Sequence, residues 1–237
     1  MGPEFIFMLT KDDVTVADAL LRIDEVRHPQ VRVIGFKDVG LSFAALRDLA
    51  AAIRARGRKV AMEVVSLDEV VELRSTGLAV SLEVDYLLGG TRAEQVTKIT
   101  RGTGIQYFPF PGRIVGHPSQ LHGTITEIVE SARHLSEMDG VTGLDLLAYR
   151  FNGNVEALMT SVVRAVTVPV IVAGSIDRPA RIRALAAAGI WGFTVGGAAF
   201  DRRFAPDEKD LAMQIQAIVT ARDDARMCAL SSSKTQR

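Results

Sequence analysis

The chain has 237 residues with 28 basic and 28 acidic side chains, so its formal charge is zero, and 48% of its residues are apolar. That balance is globular and gives no basic footprint for nucleic acid or an anionic membrane. Cys228 is the single cysteine, which excludes an internal disulfide or a cysteine-ligated metal cluster and fits a reducing compartment.

The longest uncharged run, 184–200, is broken by Gly189, Gly192, Gly196 and Gly197, and a spanning helix needs about 20 mostly apolar residues. The N-terminus shows no basic region, apolar core and cleavage site of a signal peptide. The expectation is a cytoplasmic protein with a small-molecule partner and neither nucleic acid nor membrane; a homo-oligomer is compatible with it.

Strand-type apolar runs alternate with amphipathic runs of helical spacing. Residues 5–10 predict the first strand and 16–26 its helix. The second strand, 31–36, is followed by a helix that Ser42 caps and Gly57 stops. The third is 60–65; Ser66, three residues before Glu69, has the spacing of a capping box. The fourth is 85–89 with a helix over 92–100. The fifth is 105–110, then a Gly/Pro-rich loop and a helix over 124–138. The sixth, 141–149, leads to a helix over 155–166. The seventh, 168–173, leads to 179–188, and the eighth, 191–195, to a last helix over 207–226. A polar tail, 227–237, is expected to fray.

Parallel strands require crossover helices, and strands buried on both faces read as continuous apolar runs. Eight such units in about 240 residues predict one (β/α)8 barrel domain, residues 1–226, with its active site at the C-terminal ends of the strands.

Polar residues at those ends are therefore the candidates. Two glycine turns end strands seven and eight: Ala173-Gly174-Ser175-Ile176 and Gly196-Gly197-Ala198-Ala199-Phe200. Glycine lets a backbone approach an anion, and amides at a helix start hold phosphate, so Gly174, Ser175, Gly196 and Gly197 are the expected phosphate site. Lys37 ends strand two, where a lysine can stabilise an enolate, bind an anion or form a Schiff base. Glu63 and Asp145 interrupt apolar strands and should face the barrel interior, because a lone carboxylate is costly against the helices. Strand parity turns Lys37 inward as well, and Lys37 and Glu63 on neighbouring strands can divide acid and base roles. Arg113 and His117 in the long loop, Tyr149 by alternation from Asp145, and Gly89-Gly90 at the end of strand four are candidate substrate contacts. Asp85, at a strand start, reads as structural. The four histidines are scattered and no metal, P-loop or dinucleotide motif occurs, so neither metal nor cofactor is expected.

The stretch 168–204, with its two glycine turns and Asp201-Arg202-Arg203-Phe204, resembles the last quarter of the phosphate-binding barrels, closest to the phosphoribosyl isomerases and cyclases of histidine biosynthesis. The resemblance implies a phosphate-holding barrel. Those isomerases use acidic residues at the ends of strands one and five; here strand one ends in Leu9-Thr10, before Lys11 and Asp12, and strand five in Pro109-Phe110-Pro111, so neither end carries the expected carboxylate. The leading expectation is an enzyme on a small phosphorylated metabolite using Lys37 with Glu63 or Asp145. An aldolase-like lyase or synthase comes first, an isomerase or epimerase second. A barrel kept as a non-catalytic sensor of a sugar phosphate, as in glycerol-phosphate-responsive antiterminators, is the alternative of another class.

Overall fold

The computed structural model describes residues 3–234. Eight parallel strands form one sheet: β1 Glu4–Met8, β2 Val33–Lys37, β3 Lys59–Val64, β4 Tyr86–Gly89, β5 Gln106–Phe108, β6 Leu144–Leu146, β7 Val170–Val172 and β8 Gly192–Val195. They run in the order β6-β7-β8-β1-β2-β3-β4-β5. The two ends meet where the Thr142 amide donates to the Tyr107 carbonyl at 2.9 Å and the Asp145 amide to that of Pro109 at 3.0 Å. This is the expected (β/α)8 barrel.

Helices follow each strand: α1 Ala19–Arg22, α2 Phe43–Ala55, α3 Glu69–Ser81, α4 Ala93–Thr100, α5 Ile125–Ser136, α6 Val155–Ala165 and α7 Pro179–Ala188, then α8 Gly197–Phe200 and α9 Leu211–Lys234 after β8. Ser42 caps α2 by accepting from the Ala45 amide, and Thr124 and Glu127 form a reciprocal capping box on α5. The cap of α3 is Asp68 and not Ser66: Asp68 is the extended residue whose carboxylate accepts from Val71, while Ser66 accepts from Asp68 itself.

The first unit departs most from expectation. In place of a helix over 16–26 the chain makes a hairpin, Thr10–Lys11 against Val14–Thr15, and only the short α1 with a 3-10 turn, Ile23–Glu25. The Val16 amide returns to the Leu9 carbonyl and the Thr15 amide to that of Val39, so these donors are already committed. At the other end α9 continues past Arg226 to Lys234, because no Gly or Pro follows to stop it; 235–237 lie outside the described residues. No helix among the described residues is long and apolar enough to cross a membrane.

Alternation divides the core in two. Inward residues such as Ile6, Met8, Ala61, Leu88, Phe108 and Ile171 fill the barrel. Outward ones such as Phe7, Phe36, Met62 and Phe193 pack beneath the helices. Gly35 faces inward below the mouth, where a Cβ would come within 2.4 Å of the Met8 sulfur; its bareness lets Met8 fill the centre.

Candidate active site

Parity carries Lys37 and Glu63 to the same level of the inward face, paired across β2 and β3. Each residue is 4% exposed, and Lys37 Nζ lies 3.5 Å from Glu63 Oε2. Asp38 points the other way: it accepts from Ser75 Oγ at 2.6 Å, and burial raises its carboxyl above the ordinary range. It is not the partner of Lys37.

That partner is Asp13. Asp12 and Asp13 form the two-residue tip of the hairpin after β1, with φ of 50° and 64°, the left-handed pair that a type I′ turn requires and that Asp tolerates. The tip folds into the mouth, where Asp13 Oδ1 sits 2.5 Å from Lys37 Nζ. Thr15 fixes the hairpin there, because its hydroxyl donates to the Lys37 carbonyl at 2.8 Å and accepts from the Lys37 amide at 2.9 Å. A carboxylate therefore does occupy the end of strand one. It arrives through a turn that strand periodicity does not register, although Asp-Asp between Thr10-Lys11 and Val14-Thr15 is a legible hairpin signal.

Arg150 also converges on Asp13. Its Nη2 is 2.9 Å from Asp13 Oδ1 and its Nη1 3.3 Å from Oδ2, and Nη1 also donates to the Ser119 carbonyl. β6 ends at Leu146, and a 3-10 turn, Ala148–Arg150, replaces the continued strand expected to 149. That turn delivers Arg150 to the mouth and sends Tyr149 outward, its hydroxyl donating to the Arg181 carbonyl and its ring beneath the Arg181 guanidinium. Burial pushes the Asp13 carboxyl upward, but the Arg150 hydrogen bonds and the charges of Lys37 and Arg150 override it and hold the group far below the ordinary carboxylate range.

Asp145 behaves in the opposite way. It is fully buried on the inward face of β6, and neither oxygen has a hydrogen-bond partner among the described residues. Desolvation first, and then the charge of Glu63, raise its carboxyl well above the ordinary range against the opposing pull of Lys37 and Arg150. Its surroundings favour the protonated form.

A cleft of 690 Å³ opens over these groups, and Lys37, Glu63, Asp13 and Arg150 line it together with Gly174–Asp177, Thr194–Ala198 and Arg203. All four residues of the expected phosphate site are in its wall. Their glycines differ in kind. Gly174 has φ +77°, and a Cβ there would lie 2.4 Å from Arg150 Nε, so it makes room for the guanidinium. A Cβ on Gly196 would meet the Thr10 carbonyl at 2.8 Å and the Met8 carbonyl at 3.0 Å, whereas one on Gly197 meets nothing closer than 3.9 Å. The Gly197 and Ala198 amides open α8 and have no acceptor within the helix.

The remaining candidates divide. His117 sits half exposed beside the cluster, its Nδ1 3.7 Å from Asp13 Oδ2. Arg113 is exposed on the Arg113–Val115 arm of a separate hairpin and does not line the cleft; its charge acts on Glu127. Tyr149 is withdrawn as described. Gly89 and Gly90 leave no substrate space: a Cβ on Gly89 would lie 2.4 Å from the Val64 carbonyl, and one on Gly90 2.7 Å from Glu72 Oε1. Both serve close packing. Asp85 accepts from the Val60 amide at 2.8 Å at the start of its strand. No group of three or more His, Cys, Asp or Glu among the described residues has the arrangement of a metal site.

No protein-family model matches this chain, and no curated protein matches its sequence. Solved structures do match. A mutant tryptophan synthase alpha-subunit from the hyperthermophile Pyrococcus furiosus superposes with a TM-score of 0.66 at 13% identity, over 92% of this chain and 98% of its own. The Amycolatopsis orientalis BexX/CysO complex gives 0.66 at 16%, over 97% and 91%. A structure described as native KDPGal gives 0.64 at 15%, over 94% and 96%. The likeness is one of fold. It places the chain among (β/α)8 barrels and leaves the chemistry to the residues at the mouth.

Proposed function

We propose that this barrel is an enzyme acting by acid–base chemistry on a small phosphorylated carbonyl metabolite. The observation that carries the reading is the buried set Lys37, Glu63 and Asp145 at a cleft whose lining includes both glycine turns. The phosphate sits against the amides of the 174–175 and 196–197 turns, and Arg203 supplies charge at the rim. The carbonyl group then extends toward Lys37.

In this reading Glu63 removes a proton from the carbon next to the carbonyl, and the Lys37 ammonium donates to the oxygen on which negative charge develops. Asp145, behind the pair in surroundings that favour its protonated form, is the reserve from which a proton returns. Return of the proton to the neighbouring carbon gives an isomerase or epimerase. Cleavage or formation of the adjacent carbon–carbon bond through the same enolate gives a lyase or synthase, which we place first, since a tryptophan synthase subunit is among the proteins of this fold. Lys37 Nζ is engaged by Asp13 and Glu63, which favours proton donation over a Schiff base.

The test is incubation with a panel of phosphorylated ketones and aldehydes in deuterium oxide, read by NMR for exchange next to the carbonyl and for product, with borohydride added in parallel. Exchange without an adduct on Lys37 is expected. An adduct would replace acid–base chemistry by a Schiff base, and binding without exchange or turnover would leave the sensor.

A further inference from the structure

We propose that Asp13 is the positioning residue of this site: from the tip of its hairpin it holds Lys37 and Arg150 together at the mouth and sets the direction of the lysine ammonium. Four observations converge. Asp13 is 8% exposed although it belongs to a two-residue turn, a place where side chains normally face water. Both carboxylate oxygens are engaged, by Lys37 and by two Arg150 nitrogens. Its hairpin is bonded through Thr15 to the backbone amide and carbonyl of Lys37 itself, so the carboxylate and the ammonium it holds are parts of one rigid unit. Close approach completes the device: Gly40 (φ +100°) leaves the hairpin room, a Cβ there lying 2.5 Å from the Thr15 carbonyl, and Gly174 leaves Arg150 room to reach across β7.

Charge accounts for the need. Lys37 and Arg150 are two basic side chains drawn to one carboxylate, with Glu63 beside Lys37. Without Asp13 the pair repels in a desolvated pocket, and the lysine loses its closest partner.

The inference bears on the proposed chemistry only through its activity readout, so it is tested first without a substrate. Methyl acetimidate labelling of the whole protein, read by mass spectrometry, reports how free the Lys37 amine is. In Asp13→Asn the rate at Lys37 is expected to rise about tenfold, the factor that loss of one hydrogen bond between charged groups represents, with the exposed Lys59 unchanged. Unchanged Lys37 labelling in the folded variant overturns the proposal. Should Asp13→Asn fail to fold, Thr15→Val, which removes the hydroxyl that ties the hairpin to the Lys37 backbone, is expected to raise Lys37 labelling in the same direction, and no rise there overturns it equally. In the exchange assay Asp13→Asn should lower kcat with KM nearly unchanged, and Asp13→Glu should restore part of the rate; loss in KM alone contradicts positioning. Faster labelling together with a parent protein that exchanges no member of the panel would keep the positioning role and remove the proposed reaction.

Discussion

Glu72 and Asp145 are both fully buried carboxyl groups, yet their surroundings differ completely. Glu72, on α3, accepts from the amides of Thr91 and Arg92 at 2.7 and 2.9 Å, from the Thr91 hydroxyl at 3.2 Å and from Arg92 Nη1 at 2.7 Å. It ties α3 to the turn that starts α4, away from the cleft. Asp145 has no such partner and stands behind the groups that line the cleft. Burial of a charge therefore does not mark a site by itself. A satisfied carboxylate is a fastener, and an unsatisfied one next to a cleft needs an explanation in chemistry.

The sharpest way to break this contrast is to remove Glu72. Glu72→Ala leaves the Arg92 charge and two amides without their acceptor and should lower stability by about 3–5 kcal/mol, measured by denaturant unfolding, while the folded fraction keeps its exchange activity. Lys37→Met should do the reverse in weight, with activity falling on the order of 10²-fold or more and a smaller loss of stability than Glu72→Ala, because Asp13 keeps Arg150 as its partner. Equal losses of stability from both would erase the distinction between the two regions.

Asp145 gives a test through pH. Its folded pKa is raised above the unfolded value of 3.8, so its contribution to stability is present below about pH 4 and is lost as pH rises from there toward the folded value. Asp145→Asn removes that dependence. Its Tm, followed from pH 4 to pH 8, should gain on the parent as pH rises. Asp13 works in the opposite direction: its lowered pKa stabilises the fold above about pH 4 and the benefit fades on acidification. A difference between parent and Asp145→Asn that stays flat with pH would mean that Asp145 is ionised in the folded protein.

The smallest effects separate the two neighbouring glycines. Gly196→Ala drives a methyl into the Thr10 and Met8 carbonyls and should cost about 1–3 kcal/mol. Gly197→Ala makes only ordinary contact, 3.9 Å from Lys11 Cα, and should stay within about 0.5 kcal/mol of the parent, while weakening binding of phosphate-bearing compounds several-fold by covering the amide. Unchanged binding in Gly197→Ala would move the phosphate site elsewhere.

What was legible in the sequence is what repeats. Alternation along regular strands turned Lys37, Glu63 and Asp145 inward, and eight strand–helix units gave the barrel. Irregular backbone hid the rest. Asp13 reaches the mouth through a primed hairpin turn and Arg150 through a 3-10 turn, and in neither does period 2 continue. Tyr149 turns outward for the same reason, because alternation from Asp145 ends with β6 at Leu146. Gly89 and Gly90 read as space left for a substrate, but their neighbours are the Val64 carbonyl and Glu72. A glycine in a sequence permits close approach without showing what, if anything, comes close.

The division between fastener and working site rests on Lys37 more than on any other residue. The most direct measurement is the rate of deuterium exchange next to the carbonyl of a phosphorylated substrate by Lys37→Met, at a temperature where its unfolding midpoint shows it folded. A loss on the order of 10²-fold with an intact fold is the expected result. A folded Lys37→Met that exchanges at the rate of the parent would contradict the assignment of the mouth as the seat of the chemistry.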